Sequence, residues 1–226
     1  MSRHQQYWDT FYAGHDSDGV PRAPSPFAEW VADRVGPGTP VVELGFGTAR
    51  DSLWFARRGH PVRAYDFAPS AVEAARRTAE RSDLDARFET LDLYDPHACD
   101  EVARAVAGLS DPPLVYARFL VHALEEDGRE NLFRLAADGL AEGGFLALEY
   151  RTDADRGQRH LFGDDHFREF LSPSLVLDQL HGRGATVIEA VEGHGLAVYK
   201  DEDPHIARVL ATFHPGPAAP SGEERS

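Results

Sequence analysis

Short apolar runs alternate along this chain with segments whose apolar residues recur every three or four positions. Pro40-Val41-Val42-Glu43-Leu44 reads as a buried strand, followed by a glycine turn and a helix over about 49–58. Pro61-Val62-Arg63-Ala64-Tyr65-Asp66 predicts a second strand. Its helix starts near Pro69-Ser70, with Ala71, Val72, Ala75 and Ala79 on one face. Residues 86–92 alternate as a third strand, and 100–108 turn helical with Val102 and Val106 four apart. A fourth strand covers 114–117, and a helix over 130–140 turns Leu132, Leu135, Ala136 and Leu140 inward. Gly143-Gly144 leads into a fifth strand over 145–150, and a helix follows over 174–181. Two last strands are expected over 186–190 and 196–199. The few residues around Gly193 are too few for a crossover helix, so this pair should be antiparallel.

Strands alternating with helices predict an α/β fold, a doubly wound and mostly parallel sheet covered on both faces. Ligands of such sheets bind beyond the carboxyl ends of the strands, so chemistry is expected after strands one to five. The main domain is expected over 26–213, preceded by an aromatic, turn-rich segment over 1–25. It carries a polar insertion over 152–172 and ends in a Pro/Ala/Gly/Glu-rich tail over 214–226 that reads as disordered.

Composition narrows the classes. Among 226 residues, 23 Lys+Arg against 38 Asp+Glu give a net charge of −15, which repels phosphate backbones and argues against nucleic acid as a partner. The single cysteine, Cys99, forbids an internal disulfide and a cysteine zinc cage. No apolar run approaches the ~18 residues of a membrane span, and the first residues lack a signal core. The expectation is a cytoplasmic protein without membrane contact, monomeric or homodimeric.

The strongest local signal is Val41-Val42-Glu43-Leu44-Gly45-Phe46-Gly47-Thr48-Ala49-Arg50-Asp51. Glycines two apart between a strand and a helix let a ligand approach the backbone closely. Arg50 stands where a dinucleotide turn would carry its third glycine, and the acidic Glu43 suits an ammonium group rather than a diphosphate. Asp66 ends the second strand, where a carboxylate can take both ribose hydroxyls, and Phe67 can cover an adenine face. Asp92, after the third strand, can accept from an exocyclic amino group while Leu93 packs on the ring. Each aspartate also has an ordinary reading as a turn former or helix cap. In register, they describe a nucleoside with a cationic amino-acid arm, and S-adenosylmethionine fits.

Over about 26–200 the chain resembles the class I S-adenosylmethionine-dependent methyltransferases of small-molecule type. Glu43-x-Gly45-x-Gly47-x-Ala49 is similar to their first motif, Ala49-Arg50-Asp51-Ser52 to a Gly-Arg-Asp-Ser variant of it, Tyr65-Asp66-Phe67-Ala68-Pro69-Ser70-Ala71 to the second and Leu91-Asp92-Leu93 to the third. The resemblance implies a Rossmann-like sheet of order 3-2-1-4-5-7-6 with strand 7 antiparallel. It also implies S-adenosylmethionine as donor and S-adenosylhomocysteine as product. Gly45 and Gly47 would flank the methionine arm, Asp66 the ribose and Asp92 the adenine, with Glu43 and Asp51 near the ammonium, directly or through water.

The acceptor should lie past strands four and five. Arg118 and His122 are four apart and share a face if that stretch turns helical. His122 is the candidate base and Arg118 the candidate anion contact, the alternative being a histidine that packs beneath the cofactor. The insertion reads either as a substrate lid, with Arg151, His166 and Arg168 as anion contacts, or as a solvated loop. A metal set of His160, Asp164, Asp165 and His166 is poorly specified. Tyr7 and Tyr12, in an aromatic cluster, either cover the cofactor and substrate or cap the sheet edge. The expected chemistry is O- or N-methylation of a small polar or anionic metabolite, with natural-product biosynthesis as one setting. The competing readings are an enzyme that cyclises or cleaves the donor and a non-catalytic donor-binding module.

Overall fold

The computed structural model describes residues 23–157 and 167–213. Its seven strands are β1 (Val41–Leu44), β2 (Val62–Asp66), β3 (Ala86–Thr90), β4 (Leu114–Arg118), β5 (Phe145–Arg151), β6 (Ala185–Gly193) and β7 (Ile206–Phe213). They form one sheet in the order β3-β2-β1-β4-β5-β7-β6. β1 to β5 pair in parallel, whereas β7 runs antiparallel to both β5 and β6. The expected order and the reversed strand are both present.

Among the described residues six α-helices cover the two faces: α1 (Pro26–Ala32), α2 (Arg50–Arg57), α3 (Pro69–Arg81), α4 (Pro96–Ala107), α5 (Glu126–Gly139) and α6 (Pro173–His181). Val41, Ala64, Tyr116 and Ala147 turn to the face covered by α1, α2 and α3. Val42, Leu44, Ala117 and Leu148 turn to the face covered by α4, α5 and α6. Strands covered on both sides need no polar face, which is why β1 and β7 are buried at every position. Cys99 packs in the second of these layers, where burial pushes its thiol up to about 11 and keeps it protonated.

Two helices begin earlier than their apolar spacing suggests. The Asp95 side chain accepts from the N–H groups of His97 and Ala98 and so starts α4 at Pro96. Glu126 and Asp127 supply a negatively charged first turn to α5.

The last strand requires a correction. It is not residues 196–199 but β7, Ile206–Phe213, reached through the connection 194–205. Val198 is 55% exposed, so its segment could not fill a central slot, whereas β7 is buried throughout between β5 and β6. The acidic run Asp201-Glu202-Asp203 ahead of β7 disguises the apolar run that follows it.

A second correction concerns Arg118 and His122. Arg118 closes β4, and the Phe119 N–H continues the ladder by donating to the Glu149 carbonyl at 2.7 Å. Phe119 then takes φ +54°, and His122 sits in a 3-10 turn, Val121–Ala123. The left-handed residue breaks any common helical face between the two side chains.

Candidate active site

Three left-handed residues shape the turn after β1: Gly45 at φ +70°, Gly47 at φ +55° and Ala49 at φ +57°. A Cβ on Gly45 would lie 2.7 Å from Leu120 Cδ1, so this glycine also makes room for the chain leaving β4. Ala49 is fully buried while holding a conformation that costs about 1–2 kcal/mol for an L-residue. A β-branched side chain there adds crowding to the same strain. Ala49→Val should therefore lose about 2 kcal/mol in chemical denaturation, and unchanged stability would show that the turn relaxes freely.

Asp66 ties this turn to the next one. Its Oδ2 accepts from the Gly47 N–H at 2.8 Å and its Oδ1 from the Ala68 N–H at 2.9 Å. Burial raises its carboxyl above the usual range, and these backbone donors act in the opposite sense. The Phe67 N–H acts on the same carboxyl, and since a carboxylate offers about four acceptor sites, three backbone donors still leave capacity for a ribose hydroxyl. Phe67 is half-buried beside it. Asp92 accepts from the Tyr94 N–H at 2.9 Å through Oδ1 and is half-buried, and Leu93 is buried. Gly45 and Gly47 thus follow β1, Asp66 and Phe67 stand at the end of β2, and Asp92 and Leu93 follow β3, on three neighbouring parallel strands.

Glu43 and Asp51 lie beneath the turn. Glu43 is buried and receives the Ser52 hydroxyl on Oε2. Asp51 is held by Ser25, through its N–H and its hydroxyl, and by the Tyr116 hydroxyl. The bond from Ser25 joins the N-cap of α1 to the first turn of α2.

On the acceptor side the arginines are already paired. Arg118 Nε donates to Glu149 Oε1 and Arg208 Nε to Glu149 Oε2, both at 2.8 Å. Arg208 also lies over the Phe27 and Trp30 rings. Arg151 donates to Asp155 at 2.7 Å and to Glu202 at 2.6 Å. Arg118 and Arg151 flank the Phe119 ring, at 4.4 and 5.7 Å from its centre. His122 is buried, and its Nδ1 accepts the Arg151 N–H at 3.3 Å, which pins the end of β5 to the loop after β4. Accepting there leaves the ring proton on Nε2 in the neutral form.

The insertion is fastened at both ends. The Asp153 N–H donates to the Leu171 carbonyl at 3.1 Å, and the Glu169 N–H donates to the His122 carbonyl at 2.7 Å. Glu169 also pairs with the buried Arg129 at 2.6 Å. Arg168 is half-buried in the returning strand of this loop. Tyr7, Tyr12 and His166, together with His160, Asp164, Asp165 and the tail over 214–226, lie outside the described residues.

Sequence reasoning missed Ser25, Tyr116, Glu149 and Arg208 as parts of this site. A signal existed for Glu149, because a carboxylate inside Phe-Leu-Ala-Leu-Glu-Tyr must be buried and therefore paired. Its two partners come from strands that only the fold makes adjacent.

Residues 41–144 match a family described as "Methyltransferase domain". The chain is 30% identical over 102 residues to a ribosomal protein L11 methyltransferase of Burkholderia lata, covering 45% of this chain. It spans 33% of that relative's length. Among solved structures it is similar to one described as "Conversion of a Disulfide Bond into a Thioacetal Group during Echinomycin Biosynthesis", with TM-score 0.72 and 20% identity over 95% of this chain and 94% of that one. A S-adenosylmethionine-dependent methyltransferase from Anabaena variabilis superposes with TM-score 0.70 and 16% identity, over 92% of this chain and 93% of its own. The matched residues span the glycine turn and the ends of β2 and β3, and the chain shares the fold of the S-adenosylmethionine-dependent methyltransferase on which it superposes.

Proposed function

We propose that this protein transfers the methyl group of S-adenosylmethionine to an oxygen or nitrogen of a small polar metabolite, releasing S-adenosylhomocysteine. The observation that carries the reading is the acidic cradle: Glu43 in β1, Asp51 in the first turn of α2, Asp66 at the end of β2 and Asp92 just after β3, around a glycine turn. Carboxylates in this arrangement suit hydroxyls, an ammonium and a sulfonium, and repel phosphates. S-adenosylmethionine, when bound, supplies the electrophilic methyl, and the chain supplies orientation and exclusion of water. Gly45 and Gly47 admit the methionine arm, Asp66 orients the ribose, and Phe67 and Leu93 bracket the adenine.

A polar acceptor is favoured over an anionic one. Arg118 and Arg151 have carboxylate partners of their own, so neither offers an uncompensated positive charge. His122 acts as a fastener between β5 and the post-β4 loop, since its Nδ1 lone pair is taken by the Arg151 N–H. The described ends of the insertion, with Arg168, form the acceptor side. Among the described residues no helix is long and apolar enough to cross a membrane.

The test is incubation of the protein with methyl-labelled S-adenosylmethionine and fractionated small-molecule extract. Label appearing in an extract metabolite, with S-adenosylhomocysteine formed in equal amount, is the expected result. Donor consumption that yields other thioethers would replace methyl transfer with donor cleavage. Binding without any turnover would leave a donor-binding module.

A further inference from the structure

The arginines near the ends of β4 and β5 differ in what their guanidinium groups have left to give. Arg151 donates through Nη1 to Asp155 and through Nη2 to Glu202, and Arg208 through Nη2 to the Leu196 carbonyl. Arg118 spends only its Nε, on Glu149 Oε1 at 2.8 Å. Among the described residues neither Nη of Arg118 has a hydrogen-bond partner, and the side chain is 24% exposed. Two contacts fix its plane. Glu149, held from its other oxygen by Arg208 Nε at 2.8 Å, sets the Nε edge, and the centre of the Phe119 ring lies 4.4 Å from the guanidinium carbon. Phe119 presents that ring at φ +54°, a conformation rare for a bulky side chain and kept where the surroundings over-determine it.

β4 stands between β1, which leads into the glycine turn, and β5, which leads into the insertion. Leu120, two residues after Arg118, abuts that turn, since a Cβ on Gly45 would lie 2.7 Å from Leu120 Cδ1. Arg118 therefore stands at the border between the donor and acceptor sides. Glu149 and Asp51 both lie within electrostatic reach of it, so its charge is largely offset and it works as a pair of directional donors. A guanidinium has no acceptor of its own, so its partner must offer lone pairs, and a planar fork suits a planar oxygen group.

We propose that Arg118 is a specificity-determining residue of the acceptor site, its Nη1 and Nη2 groups donating to a carbonyl or carboxamide oxygen of the molecule to be methylated. The proposal rests on methyl transfer as the reaction of this chain and adds the chemical class of the acceptor. Arg118 gives up no proton: it orients the acceptor beside the donor's methyl group.

Wild type is compared with Arg118→Lys, which keeps the charge and loses the fork, and with Arg118→Ala, which leaves room for free guanidinium. Each full chain is incubated with methyl-labelled S-adenosylmethionine and fractionated small-molecule extract, and the rate of labelling is followed against extract concentration. Calorimetry with S-adenosylhomocysteine and thermal unfolding are measured in parallel. Both variants should keep their S-adenosylhomocysteine affinity within about twofold and need at least about tenfold more extract for the wild-type rate. Guanidinium chloride at a non-denaturing concentration, but not ammonium chloride, should restore labelling by Arg118→Ala without raising its unfolding temperature, a recovery that a merely structural role would not give. The product whose labelling is lost should carry a carbonyl or carboxamide by mass spectrometry. Wild-type extract dependence in Arg118→Lys would overturn the proposal and leave methyl transfer standing. So would weakened S-adenosylhomocysteine binding in a variant of wild-type stability, which would put the fork on the donor, and so would a product without such an oxygen. No labelling by wild type would instead overturn methyl transfer itself, and the proposal with it.

Discussion

Glu149→Ala should cost about 3–5 kcal/mol of folding stability, the expected penalty for stranding buried charge. Glu149 is fully buried at the centre of the sheet, and Arg208, its antiparallel neighbour, is 4% exposed. With the carboxylate gone, two guanidinium groups face each other across the vacated place, and only Arg118 has a route to solvent. Each arginine retains other contacts, Arg208 with the Leu196 carbonyl at 2.6 Å and Arg118 with the Phe119 ring, but neither contact neutralises charge. Denaturant unfolding of the purified variant checks the figure. A loss below about 1 kcal/mol would mean that water reaches Arg208 and that the triad is not sealed. A double change, Glu149→Leu with Arg208→Met, should recover most of the loss, because removing both charges also removes their desolvation cost.

The second large effect is expected at Asp66. Asp66→Ala leaves the Gly47 and Ala68 N–H groups without their acceptor, at about 1–3 kcal/mol for each buried donor. Those donors belong to the glycine turn and to the residue that caps α3, so the damage falls on the cradle itself. Binding of S-adenosylhomocysteine should weaken at least about tenfold, from the lost ribose contacts and the loosened turn together. Asp66→Asn, with an acceptor for only one of the two N–H groups, should fall between wild type and alanine. Calorimetry for affinity and thermal unfolding for stability measure the two effects separately. Affinity unchanged in Asp66→Ala would take this residue out of the ligand site whatever happened to stability.

Much of the donor half was legible because it is local. Glu43, Gly45, Gly47 and Asp51 fall within one strand–turn–helix unit, and Asp66 and Asp92 end the next two strands. Buried parallel strands announce themselves as apolar runs, which placed β1, β2, β4 and β5 within a few residues, while the edge strand β3 showed itself by alternation. The acceptor half was harder for a physical reason: its contacts are made across long sequence separations. Glu202 reaches Arg151 over 51 positions and Arg208 reaches Glu149 over 59. Counting arginines near strands four and five suggested an anion site, and only the fold shows the acids that neutralise them. The Arg118–His122 spacing misled for a different reason. A single left-handed Phe119 converts an apparent helix face into a strand end and a tight turn, and nothing in the composition of that segment marks the change.

β7 is the last of the described strands in chain order, yet it occupies an interior place between β5 and β6. Among the described residues β6 pairs only with β7. During synthesis on the ribosome, the donor half can therefore assemble while β6 still lacks any ladder partner and Glu149 still lacks Arg208. The nascent chain passes through a stage in which a buried acid and an unpaired strand wait for residues 206–213 to emerge. Completion of this side of the sheet thus waits on residues 206–213, and ribosome pausing just before those codons would prolong the stage most exposed to mispairing.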